Sequence, residues 1–480
     1  MKIKKTALAF FQLLFALTTC MESHGGKWSE KIQKPKPQRP NIVFLLSDDQ
    51  PLRAMSHLDP WFHTPNMDKL ASEGIEFQNA FVESSVCCVS RASFMTGQFN
   101  SRHGIQSFDD PLSHEQLEQS FPVLLRKSGY RTALLGKYGI GHTRSKAPKE
   151  LCLPADYFDL WYGFQQGPSY SQMVDGKKRY LTSVMEEKAI RFMKETPEDQ
   201  PFLLYMCLPE PHGQGGKGEP WNYRDPDFHL AAPLAPPLKP KTMTTGAYNR
   251  LPEAIQGSKN VSVLGKDYKT GIGSYADYMK IVRDYTARTD LSIGRMRDAL
   301  KEMGRDQNTV IIFVSDNGSM WGAHGIQGKW NMYEESIRVP AMIYDPRLPE
   351  SVKGFREQMV LNIDFAATVI DLAGLAVPES MQGQSLLPIL RDPKAVGRKE
   401  WYYLHDVFSR AKGAPLPKCE GVRTGRWKYI HYMETDPVQE ELFDLKQDPR
   451  EQNNFTGNPE YAEILATLRS RCDELRKELR

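Results

Sequence analysis

Cys87 stands four residues before Arg91 in the stretch Ser85-Val86-Cys87-Cys88-Val89-Ser90-Arg91-Ala92-Ser93-Phe94-Met95-Thr96-Gly97. Residues 90–95 have the makeup of a short helix that Gly97 can end. On a helix an i, i+4 pair shares one face, so the guanidinium would sit beside the sulfur. The helix N-terminus adds partial positive charge to the same place. That combination suits an oxyanion such as sulfate or phosphate. A Cys-Cys pair ahead of a helix also reads as apolar filler or as a disulfide partner.

Oxygen ligands gather elsewhere. Asp48, Asp49 and Gln50 follow the apolar run at 41–47, and Ser315, Asp316, Asn317 and Gly318 follow a second apolar run at 309–314. Ligands of open α/β sheets collect at the carboxyl ends of strands. Two adjacent carboxylates there need a compensating cation. The bland alternatives are a solvated turn for each pair. Taken together, Asp48, Asp49, Asp316 and Asn317 are hard donors that favour calcium or magnesium over zinc. Lys137 ends another apolar run among glycines, where a cation can approach an anion closely. His212 follows the run at 202–208 and is preceded by Pro209, Glu210 and Pro211.

These residues require strands to deliver them. The runs at 41–47, 75–81, 131–135, 202–208 and 309–314 read as strands, the most apolar of them as buried parallel ones. Helical spacing appears at 64–74, 121–127, 180–194, 275–303, 364–373 and 459–479. The pattern predicts an α/β fold. Residues 213–260 carry Gly, Pro and charge without a period and read as an insertion over the strand ends. Beyond residue 396, alternating aromatic runs precede a charged terminal helix, which predicts a small α+β subdomain. The expected division is 39–395 and 396–480.

The chain of 480 residues has 62 basic and 59 acidic side chains, a near balance that argues against nucleic acid as a partner. A charged start at 1–5 and an apolar core at 7–17, too short to span a bilayer, read as an export signal over 1–20. Residues 21–38 read as a flexible tether. Leu17-Thr18-Thr19-Cys20 loosely resembles a bacterial lipobox, which makes Cys20 the candidate for a lipid anchor. The remaining cysteines are scattered and form no disulfide framework.

The Cys87 stretch resembles the signature of the formylglycine-dependent sulfatases, Cys-x-Pro-Ser-Arg-x-x-x-(Leu/Met)-Thr-Gly. Val89 departs from the usual Pro. Asn41–Asp49 resembles the opening strand of that family. Gly136-Lys137-Tyr138-Gly139 resembles its Gly-Lys-(Trp/Tyr)-His, with Gly139 in place of the His. Pro211-His212, the segment 315–340, and Gly383-Gln384-Ser385-Leu386-Leu387-Pro388 resemble further family motifs. The resemblance implies an alkaline phosphatase-like fold: a large, mostly parallel central sheet flanked by helices, with a C-terminal subdomain built on an antiparallel sheet. It implies oxidation of Cys87 to formylglycine (3-oxoalanine) by a maturation enzyme. It also implies one calcium ion held by Asp48, Asp49, Asp316 and Asn317 together with residue 87. Arg91, Lys137, His212 and Lys329 take catalytic roles by the same resemblance. His324 is placed near the substrate, and His142 is the substitute for the His missing at 139.

The implied activity is hydrolysis of sulfate esters. An exported bacterial protein with a long polar insertion and several aromatics fits sulfated carbohydrates such as ulvan, carrageenan, fucoidan or glycosaminoglycans. Two rivals stay open: a phosphodiester or phosphonate hydrolase of the same fold, and a catalytically silent binder of sulfated glycans.

Overall fold

The computed structural model describes residues 39–480 apart from 144, 166–168, 214–223, 232, 234, 259–261, 265–271, 408–415 and 480. The export signal, the tether and Cys20 lie outside the described residues, as does part of the 213–260 insertion.

The strands are β1 Asn41–Asp48, β2 Ile75–Phe81, β3 Arg131–Lys137, β4 Leu160–Phe164, β5 Ser171–Val174, β6 Lys177–Tyr180, β7 Phe202–Pro211, β8 Thr309–Ser315, β9 Ala341–Tyr344, β10 Gly354–Leu361, β11 Glu400–His405, β12 Cys419–Thr424, β13 Trp427–Tyr432 and β14 Gln439–Asp444. Eight of them form one sheet in the order β10-β2-β9-β8-β1-β7-β3-β4. Its pairings are parallel except those made by β9 with β2 and β8.

The apolar runs form strands because both faces of the sheet are covered. In β1, Ile42, Phe44 and Leu46 pack on one side and Val43 and Leu45 on the other, all fully buried. The first side is covered by α2 Cys87–Thr96, α3 Phe121–Lys127 and α6 Asn362–Leu372, through residues such as Phe94, Phe121 and Phe365. The other side is covered by α1 Pro65–Glu73, α4 Leu181–Glu195 and α5 Tyr275–Glu302, through Met67, Leu181 and Ile293. Phe44 lies against the rings of Phe94, Phe121, Tyr205 and Phe365.

The smaller sheet is antiparallel in the order β11-β12-β13-β14, and α7 Ala462–Glu478 packs on it through Leu465, Leu468 and Cys472. Three strands of the main sheet, β4, β9 and β10, are additions to the sequence expectation, as is the β5–β6 hairpin. The helix after Val86 begins at Cys87 itself, not at Ser90. Among its described residues the insertion carries short helices at Thr245–Asn249 and Glu253–Gln256, which its composition does not predict. The six cysteines among the described residues are buried and unpaired. No helix among the described residues is long and apolar enough to cross a membrane.

Candidate active site

The central strands β8, β1, β7 and β3 are neighbours, and their carboxyl ends carry the polar residues singled out by the sequence. Ser47 is in register with Ser315, so Asp48 and Asp316 leave the sheet side by side. Asp48 is in register with Pro211, which brings His212 alongside. Asp49 takes φ +67°, turning the chain at once so that its backbone N–H donates to Asp316 Oδ1 at 3.2 Å. At the end of β3, Gly136 has φ +96°, and a Cβ there would lie 2.0 Å from Cys207 O on β7. Only glycine allows the two strands to come this close just before Lys137.

Cys87 opens α2, which is buried along its whole length and closed by Gly97 in the left-handed region. Cys87 and Arg91 share one face, as the spacing requires. Val89 is at the third helical position, where a backbone N–H has no intrahelical acceptor, so the fold tolerates it as readily as the usual Pro.

Around the Cys87 sulfur the charges converge. Lys329 Nζ lies 2.6 Å from Sγ, and Asp48 Oδ1 lies 3.6 Å from it. Lys329 also pairs with Asp49 Oδ1, and Lys137 pairs with Asp48 Oδ2. Asn317 Nδ2 donates to Asp49 Oδ1 at 2.7 Å. Arg91 Nε donates to Asp316 Oδ2 at 2.8 Å, and Nη1 to the Lys137 carbonyl at 2.5 Å. Among the described residues its Nη2 has no hydrogen-bond partner, and it lies 3.6 Å from Asp48 Oδ2. His212 Nε2 is 3.7 Å from Asp49 Oδ2. Ligand atoms of Asp48, Cys87 and Asp316 lie within 4.8 Å of one another, as do those of Asp48, Asp49 and His212.

Burial sets the electrostatics. It would raise the Asp48 carboxyl, but Lys137, His212, Arg91 and Lys329 together hold it well below the usual range. Burial and the neighbouring Asp48 push Asp316 up to about 6 despite Arg91. Burial pushes the Cys87 thiol up to about 12, against Lys137 and Lys329. An unmodified Cys87 is therefore a neutral thiol and a poor nucleophile at neutral pH. Desolvation pulls His212 down to about 4, although Asp49 and Asp48 oppose it.

Two expected residues are placed elsewhere. His324 is 2% exposed, stacks on Tyr333 with centroids 4.7 Å apart, and groups with Glu335 and Glu451. Lys428 already supplies a cation there, 2.6 Å from Glu451 Oε1 and 2.8 Å from Glu334 Oε1. His142 is half-buried in the loop after β3, its carbonyl accepting from Ser145 N–H at 2.8 Å, and it belongs to none of the ligand clusters among the described residues. The place of the missing His is taken: a Cβ on Gly139, which has φ +77°, would lie 2.9 Å from Arg91 Cδ.

The site also depends on residues the sequence did not single out. Ser85 Oγ and Tyr403 Oη are 2.8 Å apart, and each donates to Asn331 O, at 3.0 and 3.1 Å. This knot joins the approach to Cys87 with the segment after Lys329. Tyr170 holds the turn that bears His212. Hydroxyls that bind main-chain carbonyls leave no spacing to read in a sequence.

Residues 40–375 match the Sulfatase family, and residues 322–478 match the family described as N-sulphoglucosamine sulphohydrolase, C-terminal. The chain belongs to the sulfatase family. It is a sulfuric ester hydrolase, and its fold is the alkaline phosphatase-like one. This sulfatase is 30% identical to an N-acetylglucosamine-6-O-sulfatase of Bacteroides thetaiotaomicron, over 93% of this chain and 88% of the relative. It is 28% identical to an ulvan-active sulfatase of Formosa agariphila, over 100% of this chain and 88% of the relative. A solved structure in complex with its substrate D-glucosamine-2-N,6-O-disulfate superposes with a TM-score of 0.74 at 27% identity, covering 92% of this chain and 98% of that one. A phosphonate monoester hydrolase of Agrobacterium radiobacter shares the fold, with a TM-score of 0.73 at 20% identity over 92% and 96% of the two chains.

Proposed function

We propose that this sulfatase removes sulfate from carbohydrates, using a formylglycine made from Cys87 and one calcium ion. The observation that carries the reading is the convergence of Lys329, Asp48 and Arg91 on residue 87 at the first turn of α2. A carbohydrate substrate is supported by the two relatives named for sugar sulfates and by the structure held with glucosamine disulfate.

The donor set fits a hard divalent cation. Asp48, Asp49, Asp316 and Asn317 offer oxygen alone. Three of them already gather around positive charge: the Lys329 ammonium contacts Asp49 Oδ1 and lies 3.4 Å from Asn317 Oδ1 and 3.9 Å from Asp48 Oδ1. Calcium supplies charge neutralisation at a sulfate oxygen, and formylglycine supplies a nucleophilic hydroxyl.

The remaining work falls to the chain itself. Lys137, Lys329 and the unpartnered Nη2 of Arg91 face the anion and stabilise its shifting charge. The N-terminus of α2 adds its dipole. His212 is the group placed to pass a proton to the departing alcohol oxygen, and an arriving sulfate anion raises its proton affinity. The near-complete burial of Cys87, 3% exposed, requires its maturation enzyme to reach it before the fold closes. The leader at 1–20 and the tether at 21–38 support export to the periplasm, the cell surface or the medium, with Cys20 the site of any lipid. A division at 395/396 would leave every proposed ligand and catalytic residue in the larger part.

Peptide mass spectrometry across Cys87 on protein from its own host, followed by sulfate release from glucosamine 6-sulfate and ulvan oligosaccharides with and without EDTA, tests the reading. Formylglycine together with chelator-sensitive desulfation is the expected result. Faster turnover of a phenylphosphonate or a phosphodiester would favour the phosphonate or phosphodiester rival. Unmodified Cys87 with retained glycan binding would favour the binder.

A further inference from the structure

We infer that Tyr170 is a positioning residue for His212; the inference rests on the sulfatase reading above, in which His212 protonates the leaving oxygen. Tyr170 Oη donates to His212 O at 2.7 Å and lies 3.2 Å from Pro209 O. It thus spans the turn that carries His212 away from the end of β7. The Tyr170 ring is fully buried. It lies parallel to Tyr180, with centroids 5.4 Å apart and 6° between planes, and 5.2 Å from Tyr285 on α5. Its own carbonyl accepts from Leu181 N–H at 2.7 Å, at the start of α4. Two helices of the core therefore fix where this hydroxyl points.

His212 has little else to aim it. Among the described residues Nδ1 is buried with no hydrogen-bond partner, and Nε2 is 3.7 Å from Asp49 Oδ2, beyond hydrogen-bond length. The orientation of the imidazole is inherited from its backbone, and Tyr170 holds that backbone. Loss of the hydroxyl lets the ring drift from the departing oxygen. A displaced acid matters most when the leaving alcohol is a poor one, and hardly at all when it leaves as a stable phenolate.

The test is a leaving-group series of substituted phenyl sulfates on mature wild-type, Tyr170→Phe and His212→Ala enzymes. Positioned acids contribute typically about 10²–10⁴-fold. In Tyr170→Phe the loss in kcat/KM is expected to stay within about threefold for 4-nitrophenyl sulfate and to exceed about tenfold for the least acidic phenol. A loss equal across the series overturns the positioning role. If His212→Ala leaves the slope unchanged, the acid role of His212 falls, and this inference falls with it. If His212→Ala steepens the slope and Tyr170→Phe does not, only the inference on Tyr170 falls. Tyr130→Phe, which removes a buried hydroxyl bonded to Pro40 O at 3.0 Å, is the control for simple loss of stability and keeps the wild-type slope. A crystal structure of Tyr170→Phe reads the placement without turnover. A His212 displaced relative to Asp49 supports the inference, and an unmoved one overturns it.

Discussion

Lys329 Nζ lies 2.6 Å from Cys87 Sγ while the same ammonium pairs with Asp49 Oδ1. One buried cation thus joins the residue proposed for oxidation to the residues proposed as metal ligands. Burial alone would lower its proton affinity, but Asp49, Cys87, Asp48 and Asp316 raise it well above the ordinary value, so it stays charged. Lys329→Ala is expected to lower kcat/KM for a sulfate ester by about 10²–10³-fold, the cost of removing one preorganised charge stabiliser. Lys329→Arg recovers little, because a planar fork does not replace a point charge in a packed site. Mass spectrometry should find Cys87 converted to the same extent in both variants. Activity of the Ala variant within threefold of wild type would remove Lys329 from the catalytic set.

Gly139 and Arg91 compete for one volume. A side chain at 139 suffers twice, from φ +77° and from the approach to Arg91 Cδ at 2.9 Å. Gly104 separates the two effects, since it has φ +70° with nothing within 4 Å of an added Cβ. Gly104→Ala is expected to cost about 1–2 kcal/mol of stability, the left-handed penalty alone. Gly139→Ala should cost more, and should also lower activity by displacing the Arg91 guanidinium from Asp316. Urea midpoints of the two variants provide the comparison. Equal costs, with full activity in Gly139→Ala, would show that Arg91 yields freely.

The parts of this arrangement that are legible in the sequence are those encoded by local pattern. β1 and β8 are continuous apolar runs, and that pattern is enough to put Asp48 and Asp316 at strand ends. The Cys87–Arg91 pair follows from helical spacing, although the helix starts three residues earlier than expected because Val86 takes an extended conformation and acts as its N-cap. β10 is not legible: it lies at the sheet edge and reads Gly-Phe-Arg-Glu-Gln-Met-Val-Leu, with Phe355 exposed and Arg356 buried, the reverse of what side-chain polarity predicts. β4 is interrupted by Gly163. The position of His324 depends on the path of the loop after β8, where Gly322 takes φ +88° and His324 φ +53°. Motif order alone does not determine that path.

The Ser85–Tyr403 contact makes the C-terminal sheet part of the site. Ser85 is two residues before Cys87, and Asn331, whose carbonyl both hydroxyls reach, is two after Lys329. A double-mutant cycle of Ser85→Ala and Tyr403→Phe is expected to show a coupling of about 1 kcal/mol in stability. The same cycle read in kcat/KM should be non-additive, since the two hydroxyls share the Asn331 carbonyl and each keeps hold of it when the other is removed. Strict additivity in both readouts would mean that the two hydroxyls act independently.

Glu441 supplies a pH dependence away from the active site. Its carboxylate is 2% exposed and accepts from Tyr333 Oη at 2.9 Å and from Tyr432 Oη at 2.5 Å. Burial pushes it up to about 7, although Tyr432, Tyr333 and Lys428 oppose the rise. The folded protein therefore binds a proton that the unfolded chain releases near 4.5. Between these values the native state holds more protons, so stability falls as pH rises from about 4.5 to about 7 and is level above that. The contribution is on the order of 3 kcal/mol across that window. Glu441→Gln keeps an acceptor for the tyrosines and removes the titration. Urea unfolding at several pH values should show wild-type stability declining across the window more steeply than that of the variant. Identical slopes would mean that Glu441 titrates near its ordinary value and that the two tyrosines fully offset its burial.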